Sequence, residues 1–329
     1  MLDFIEVVEI KKKGITHAIP KFKVLKTKDL MIKGGRFFAI WDEENGLWTK
    51  DYFRAIKIID SEILKVTNES GSLPELCSDT TYKSIDTLRK YIEKDMCDTF
   101  ETLDSKVIFA NDVTTKEDYA TFKLSYSMEY GPTANWDRLI STLYSPEERH
   151  KIEWSIGAII SGDSKYIQKF LVFYGSGGTG KSTILNIIEK MFEGYTANFV
   201  SKDLGDGNKD FSLAPFRNNP LVAIEHDGDL SKINDNTRLN SIVSHERITI
   251  NEKFKKPYST SLHSFLMIGS NSPVKITDNK SGLLRRLIDI SPTGNTLPSR
   301  DYNYVMDQIY NWELGNIAKH CLDVYKEKF

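Results

Sequence analysis

Cysteine is scarce in this 329-residue chain: Cys77, Cys97 and Cys321 are far apart and form no C-x-x-C pair. That argues against a disulfide framework or a zinc finger and favours a reducing compartment. An excess of one charge is also missing, since 44 Lys and Arg face 46 Asp and Glu. A uniformly basic nucleic-acid coat is thereby excluded; a local basic patch is not. No apolar run reaches membrane-spanning length, and the run at 156–160 is far too short. Asp3 and Glu6 stand where a signal peptide would be basic. A cytoplasmic protein without a membrane partner is expected. Internal repeats and low-complexity stretches are lacking as well, which leaves an ordinary globular composition with length for two domains.

Residues 1 to about 66 alternate apolar and polar residues between glycines. The runs 37–41 and 47–50, joined through Asn45-Gly46, predict a β-hairpin. Helical spacing follows over 52–65 and 82–95. The stretch 68–74 reads as a loop, and 106–110 as a short strand before Asn111-Asp112. Residues 133–168 read as mostly helical, with Ser145 before Pro146-Glu147-Glu148 as a helix start. From Phe170 the texture changes. Apolar runs at 170–174, 221–224, 265–269 and 286–290 alternate with helical segments, the pattern of a parallel sheet covered by helices.

The first of those runs leads into Gly175-Ser176-Gly177-Gly178-Thr179-Gly180-Lys181-Ser182-Thr183, a G-x-x-x-x-G-K-[ST] phosphate-binding loop between a strand and a helix. Its glycines let backbone N–H groups turn toward phosphate oxygens, and the helix that follows offers its positive end to the same anion. Lys181 is the residue to reach the β- and γ-phosphates of ATP, and Ser182 the one to ligate Mg²⁺.

Such a loop needs an acid on a neighbouring strand. The run 221–224 ends in Glu225-His226-Asp227, two acids separated by a histidine. Strict strand alternation puts Glu225 and Asp227 on one face and His226 on the other. Either acid can hold the metal while the other orients water. The next apolar run ends at Ser270-Asn271, and an Asn at that tip can hydrogen-bond the attacking water or the γ-phosphate; as a plain reading, Asn271-Ser272-Pro273 is a turn. Arg285-Arg286 then lead into the run 286–290. They read either as a salt-bridged pair or as an arginine finger for a neighbour's γ-phosphate. Between the second and third runs, 247–250 alternates like a strand and Lys253-Phe254-Lys255-Lys256 makes a basic tip with one aromatic ring. A projecting hairpin of this kind presents ammonium groups to phosphates and a ring to a base.

The order of these motifs resembles superfamily 3 helicases, most closely the poxvirus-like primase-helicases of phages and mobile elements. The segment from Trp136 to Ala158 resembles the helical region that precedes the ATPase core in that family. The likeness covers about 100–325, and the first hundred residues match loosely. It implies an α/β fold: an AAA+ P-loop NTPase core over 169–329, a helical collar-like region over 111–168, and an α-rich N-terminal α+β region with a small β-hairpin over 1–110. It further implies a hexameric homo-oligomer that hydrolyses ATP with Mg²⁺ and moves on single-stranded DNA, in the host cytoplasm if phage-encoded. A pore hairpin at 253–256 and an arginine finger at Arg285 or Arg286 belong to the same implication. Members usually carry more chain after the segment matching 312–317. No primase active site is recognisable here, so a primase domain or replication partner would lie elsewhere. Two rival readings share the loop: another P-loop motor for DNA packaging or protein remodelling, and a scaffold that binds ATP and DNA without hydrolysis.

Overall fold

A computed structural model describes residues 2–22, 30–34, 37–95, 102–205, 211–230, 235–251, 253, 257–272 and 282–327, and every structural statement below concerns these. The chain divides into two compact units: 1–104 with 113–122, and 105–112 with 123–329. Each is taken by itself.

In the first unit β1 (Ile5–Lys12) and β2 (Ile15–Phe22) form an antiparallel hairpin in register from Ile5↔Phe22 to Lys12↔Ile15. The expected second hairpin is present: β3 (Met31–Gly34), β4 (Phe37–Asp42) and β5 (Leu47–Thr49) make a separate three-stranded sheet. Its Asn45-Gly46 turn is closed by Asn45 Nδ2 donating to Asp42 Oδ2 at 2.7 Å. The helix α1 (Tyr52–Ser70) starts where Asp51 accepts from the Phe53 and Arg54 amides and stops at left-handed Gly71. It runs through part of the predicted loop, and β6 (Leu73–Pro74) then joins the first sheet beside β2. A short α2 (Ser84–Lys90) follows. With two three-stranded sheets, this unit is mixed α and β, not α-rich as expected. Its core gathers Ile59 and Ile63 of α1 with Phe4, Met31, Ile40 and Tyr91.

The second unit carries the predicted parallel sheet. The expected strand at 106–110 is absent: Asp112 accepts from the Phe109 amide and Ile108 N–H donates to Tyr195 Oη, while two backbone bonds, Leu124 N–H to the Ile108 carbonyl and Ala110 N–H to that of Tyr126, tie the segment to 124–126 without a regular ladder. Then come α3 (Ala134–Leu143) and α4 (Pro146–Ser161), the latter capped by Ser145 as its sequence predicts. The chain continues through β7 (Phe170–Tyr174), α5 (Lys181–Met191), β8 (Thr196–Asn198), α6 (Ser201–Leu204), β9 (Val222–Gly228) and α7 (Thr237–Val243). A hairpin of β10 (Arg247–Ile250) and β11 (Tyr258–Ser261) precedes β12 (Phe265–Ser270), β13 (Leu287–Ile290), α8 (Ser299–Gln308) and α9 (Leu314–Lys326).

The sheet order is β13-β7-β12-β9-β8, every neighbouring pair parallel. Phe170, Leu171, Val172 and Phe173 are fully buried, as are Leu266, Met267 and Ile268. Strands covered on both faces need such unbroken apolar runs, which is why they are visible in the sequence. β7, β12 and β9 end side by side, and the crevice beyond the carboxyl ends of parallel strands is where α/β sheets bind ligands. No helix among the described residues is long and apolar enough to cross a membrane.

Candidate functional site

The phosphate-loop sequence folds as its glycines require. Gly178 and Gly180 have φ of 80° and 87°, the left-handed region that a side chain disfavours. A Cβ on Gly180 would also meet Leu143 Cδ1 at 2.7 Å. Around Gly177 and Gly178 nothing lies within 4 Å of where a Cβ would be, which leaves the loop open toward a ligand. At the start of α5 the Lys181 amine turns back over the loop and donates to the carbonyls of Gly175 and Ser176 at 2.7 and 2.9 Å. It also donates to Asn271 Oδ1 at 3.0 Å, across from β7 to the tip of β12. Burial lowers the Lys181 pKa, against the opposing pull of Asp227. Asn271 passes the link on, its Nδ2 donating to Asp227 Oδ1 at 3.0 Å. Loop lysine, strand-tip asparagine and acid are thus joined in one chain.

These residues border a cavity of about 780 Å³. One wall is Gly177 to Thr183; another is His226, Asp227 and Asn271. A third wall, which carries no motif, consists of Leu139 and Leu143 of α3 with Thr296, Leu297, Ser299, Tyr302 and Asn303. Tyr302 Oη lies 3.2 Å from Thr183 Oγ1. Leucines beside a few polar groups suit a base and sugar next to a phosphate loop. The only hint of them in the sequence is that α3 and α8 are amphipathic.

The two acids of β9 do not share one environment. Against β12 the register runs Ile268↔Glu225 and then Ser270↔Gly228, so an extra residue is accommodated on β9 as a bulge. Gly269 sits opposite it, where a Cβ would meet the His226 carbonyl oxygen at 2.5 Å. Glu225 is buried, accepts from the Ser201 amide at 3.0 Å, and borders a separate cavity of about 510 Å³ that Asp227 and Asn271 also line. Burial raises its pKa. Asp227 is exposed and, with His226, lines the larger cavity. His226 Nε2 lies 3.2 Å from Glu189 Oε2 on α5. The residue that simple alternation sets apart from the acids therefore joins one of them at the cavity wall.

Arg285 and Arg286 are not on a strand. They occupy a single 3₁₀ turn, 284–286, ahead of β13. Arg286 is buried, with Nη1 3.3 Å from the Gly282 carbonyl and 3.5 Å from Asn240 Oδ1. Arg285 is exposed, and its carbonyl accepts from Lys169. Because Leu287 pairs with Phe170, both arginines lie at the amino end of β7, the end of the sheet away from the chain's own phosphate loop.

The β10–β11 hairpin pairs from Arg247↔Ser261 to Ile250↔Tyr258. Lys253 is exposed at its turn; Phe254, Lys255 and Lys256 lie outside the described residues. At the hairpin's base His245 has φ 57°, with Nδ1 2.9 Å from the Leu262 carbonyl oxygen and Nε2 3.1 Å from that of Ile167.

Magnesium fits this donor set. Among the described residues no three acids, histidines or cysteines gather as a metal cage. Mg²⁺ typically takes one or two protein oxygens together with substrate phosphates, and Ser182 and Asp227 border the same cavity.

A family described as being of unknown function, DUF5906, matches residues 173–286, the stretch from β7 to the arginines. The chain is 25% identical over 151 residues to a DNA primase-polymerase of Nitratiruptor phage NrS-1, a match that takes in 44% of this chain and 18% of the relative. An apo structure of the NrS-1 C-terminal region, in its A form, superposes with a TM-score of 0.54 at 14% identity, covering 89% of this chain and 65% of that one. A second apo structure of that region gives 0.53, also at 14% identity and with the same coverage. At such identity the structures establish a shared fold. The chain covers less than two thirds of the relatives' length.

Proposed function

We propose that this chain is the ATP-hydrolysing motor of a phage or mobile-element replication protein, an AAA+ helicase that assembles as a ring and moves on single-stranded DNA. The observation that carries the reading is the Lys181–Asn271–Asp227 chain, which joins the phosphate loop to an acidic strand at the mouth of an open cavity. Similarity to a phage DNA primase-polymerase supports a replication role.

In this reading Lys181 leaves its carbonyl partners to neutralise β- and γ-phosphate charge. Its lowered pKa reflects an amine poorly solvated in the free site, where an anion would be a strong partner. Ser182 and Asp227 hold Mg²⁺, which supplies electrostatic stabilisation of the transferring phosphoryl group. Asn271 reports whether a γ-phosphate is present, because Lys181 and Asp227 both bond to it. Arg285 serves a neighbouring copy, since its own loop lies at the other end of the sheet. Lys253 and the basic tip contact the strand.

The test is steady-state phosphate release with and without single-stranded DNA, beside strand displacement on a forked duplex. ATP-dependent displacement with DNA-stimulated hydrolysis is expected. Hydrolysis without displacement points to another P-loop motor, and ATP binding without hydrolysis to a scaffold.

A further inference from the structure

The hairpin of the first unit, β1 with β2, carries Lys11, Lys12 and Lys13 in succession at its tip, where residues 10–15 are all exposed. Pairing stays regular to Lys12↔Ile15, so the turn is Lys13-Gly14. Their φ angles, 49° and 87°, are both left-handed, as two-residue hairpin turns of this kind need. Glycine suits the second position. The first is filled at least cost by Asn, Asp or Gly. A lysine there gives up turn stability and places an ammonium group at the very end of the ribbon. Protection of an edge strand accounts for lysines within β1; it does not account for one in the turn.

The cations are spread around the tip. Neighbours on a strand face opposite sides, so Lys11 and Lys12 lie on the two faces of the ribbon and Lys13 at its end. Lys12 reaches Glu75 Oε1 at 2.7 Å, yet its side chain stays 49% exposed. Lys11 and Lys13 have no ion-pair partner among the described residues, and no acid occurs between 10 and 17. Ile10 and Ile15, 44% and 56% exposed, lie on the Lys12 face through the pairs Ile10↔His17 and Lys12↔Ile15. No Phe, Tyr or Trp lies between 5 and 21, so the ribbon lacks the stacking rings that proteins use to take single strands.

A narrow ribbon with cations on both faces and at its end matches a groove that has phosphates on either side. The major groove of B-DNA is about 12 Å wide and admits a two-stranded β-ribbon, and apolar side chains inside it meet thymine methyl groups. We infer that the β1–β2 tip binds duplex DNA in this groove, with Lys11 and Lys13 on its phosphates and Ile10 and Ile15 against base edges. This duplex contact is separate from the single-strand contact assigned to Lys253, and it rests on the reading of the chain as a DNA motor.

The experiment titrates the whole chain against a short blunt DNA duplex and a single strand of the same length, by fluorescence anisotropy across a salt series. ATP hydrolysis without DNA and melting are followed for each protein. Lys11→Gln/Lys13→Asn removes both unpaired charges and gives the turn its preferred Asn-Gly pair, so melting should stay at or above wild type. Its log–log salt slope on duplex should fall by about 1.8, about 0.9 for each lost phosphate contact. Single-strand binding and DNA-free hydrolysis should not change. Lys11→Arg/Lys13→Arg keeps the charges and should keep duplex binding. An unchanged duplex slope in the first variant overturns the inference, as does an equal fall on the single strand, which would make the tip a general phosphate contact. Wild type separates the two failures. If it hydrolyses ATP and binds the single strand but not the duplex, this inference falls and the motor reading stands; if it binds neither form of DNA, both fall.

Discussion

Asn271 Oδ1 accepts a hydrogen bond from Lys181 Nζ at 3.0 Å, so the tip of one strand holds the loop lysine that belongs to another. Lys181→Ala should abolish phosphate release while melting stays near wild type, because the lost bonds go to two loop carbonyls and Asn271, which water can serve instead. Asn271→Ala should still bind nucleotide but hydrolyse it at least tenfold more slowly, as loss of a positioned polar group does. Phosphate release and fluorescent-nucleotide binding, measured side by side, check both.

The two arginines should separate cleanly. Arg286→Ala removes a buried guanidinium that bonds to Gly282 and faces Asn240, and should cost about 1–3 kcal/mol of stability. Arg285→Ala should leave melting unchanged yet abolish hydrolysis. Mixed with Lys181→Ala subunits it should regain partial activity, since some interfaces would join an intact loop to an intact arginine. No rescue in mixtures shown to co-assemble would limit Arg285 to its own subunit.

Changing Lys253, Lys255 and Lys256 together to Ala should weaken single-stranded DNA binding and flatten its salt dependence. Each lost phosphate contact lowers the log–log slope by about 0.7. Fluorescence anisotropy across a salt series reads this directly, and an unchanged slope would move the DNA contact away from the hairpin.

Stability should follow a plateau set by the Glu153–His320 pair, 3.2 Å apart between α4 and α9. Burial pushes the Glu153 pKa up, but His320, the Trp136 indole and Arg149 outweigh it and hold the carboxyl below its usual range. A lowered folded value gives stability that is present above about pH 4.3 and lost as pH falls. The same carboxylate raises the His320 pKa. That contribution is complete below about pH 6.5 and lost as pH rises through the raised value. His320→Gln should erase the upper limb of a melting-temperature profile and shrink the lower one, which the Trp136 indole and Arg149 would still support.

Much of the second unit was legible because its strands are buried on both faces and its loop depends on glycine. The same logic failed where a partner far along the chain decides the geometry. The run 106–110 looks like a strand, but the Tyr195 hydroxyl and the Asp112 carboxylate take two successive amides, those of Ile108 and Phe109, which a strand ladder would use. Alternation set His226 apart from the acids because the bulge that brings it to the cavity depends on Gly269, a strand away. Arg285 and Arg286 looked strand-borne because the apolar run begins among them, yet the backbone turns once more before extending. The wall formed by Leu139, Leu143 and residues 296–303 had no motif at all.

That wall has a consequence for how the protein is made. Glu313, at the end of a π-helical turn between α8 and α9, accepts from the Asn135 and Trp136 amides and so closes the start of α3. The partners are 178 and 177 residues apart. At translation rates of roughly 5–20 residues per second, the first waits about 9–36 seconds for the second to be synthesised. A nascent chain therefore displays its glycine-rich loop before residues 296–303 of that wall are made and before Glu313 can close the start of α3. Nucleotide offered to stalled ribosome complexes should be retained only once the chain beyond residue 313 has emerged from the exit tunnel.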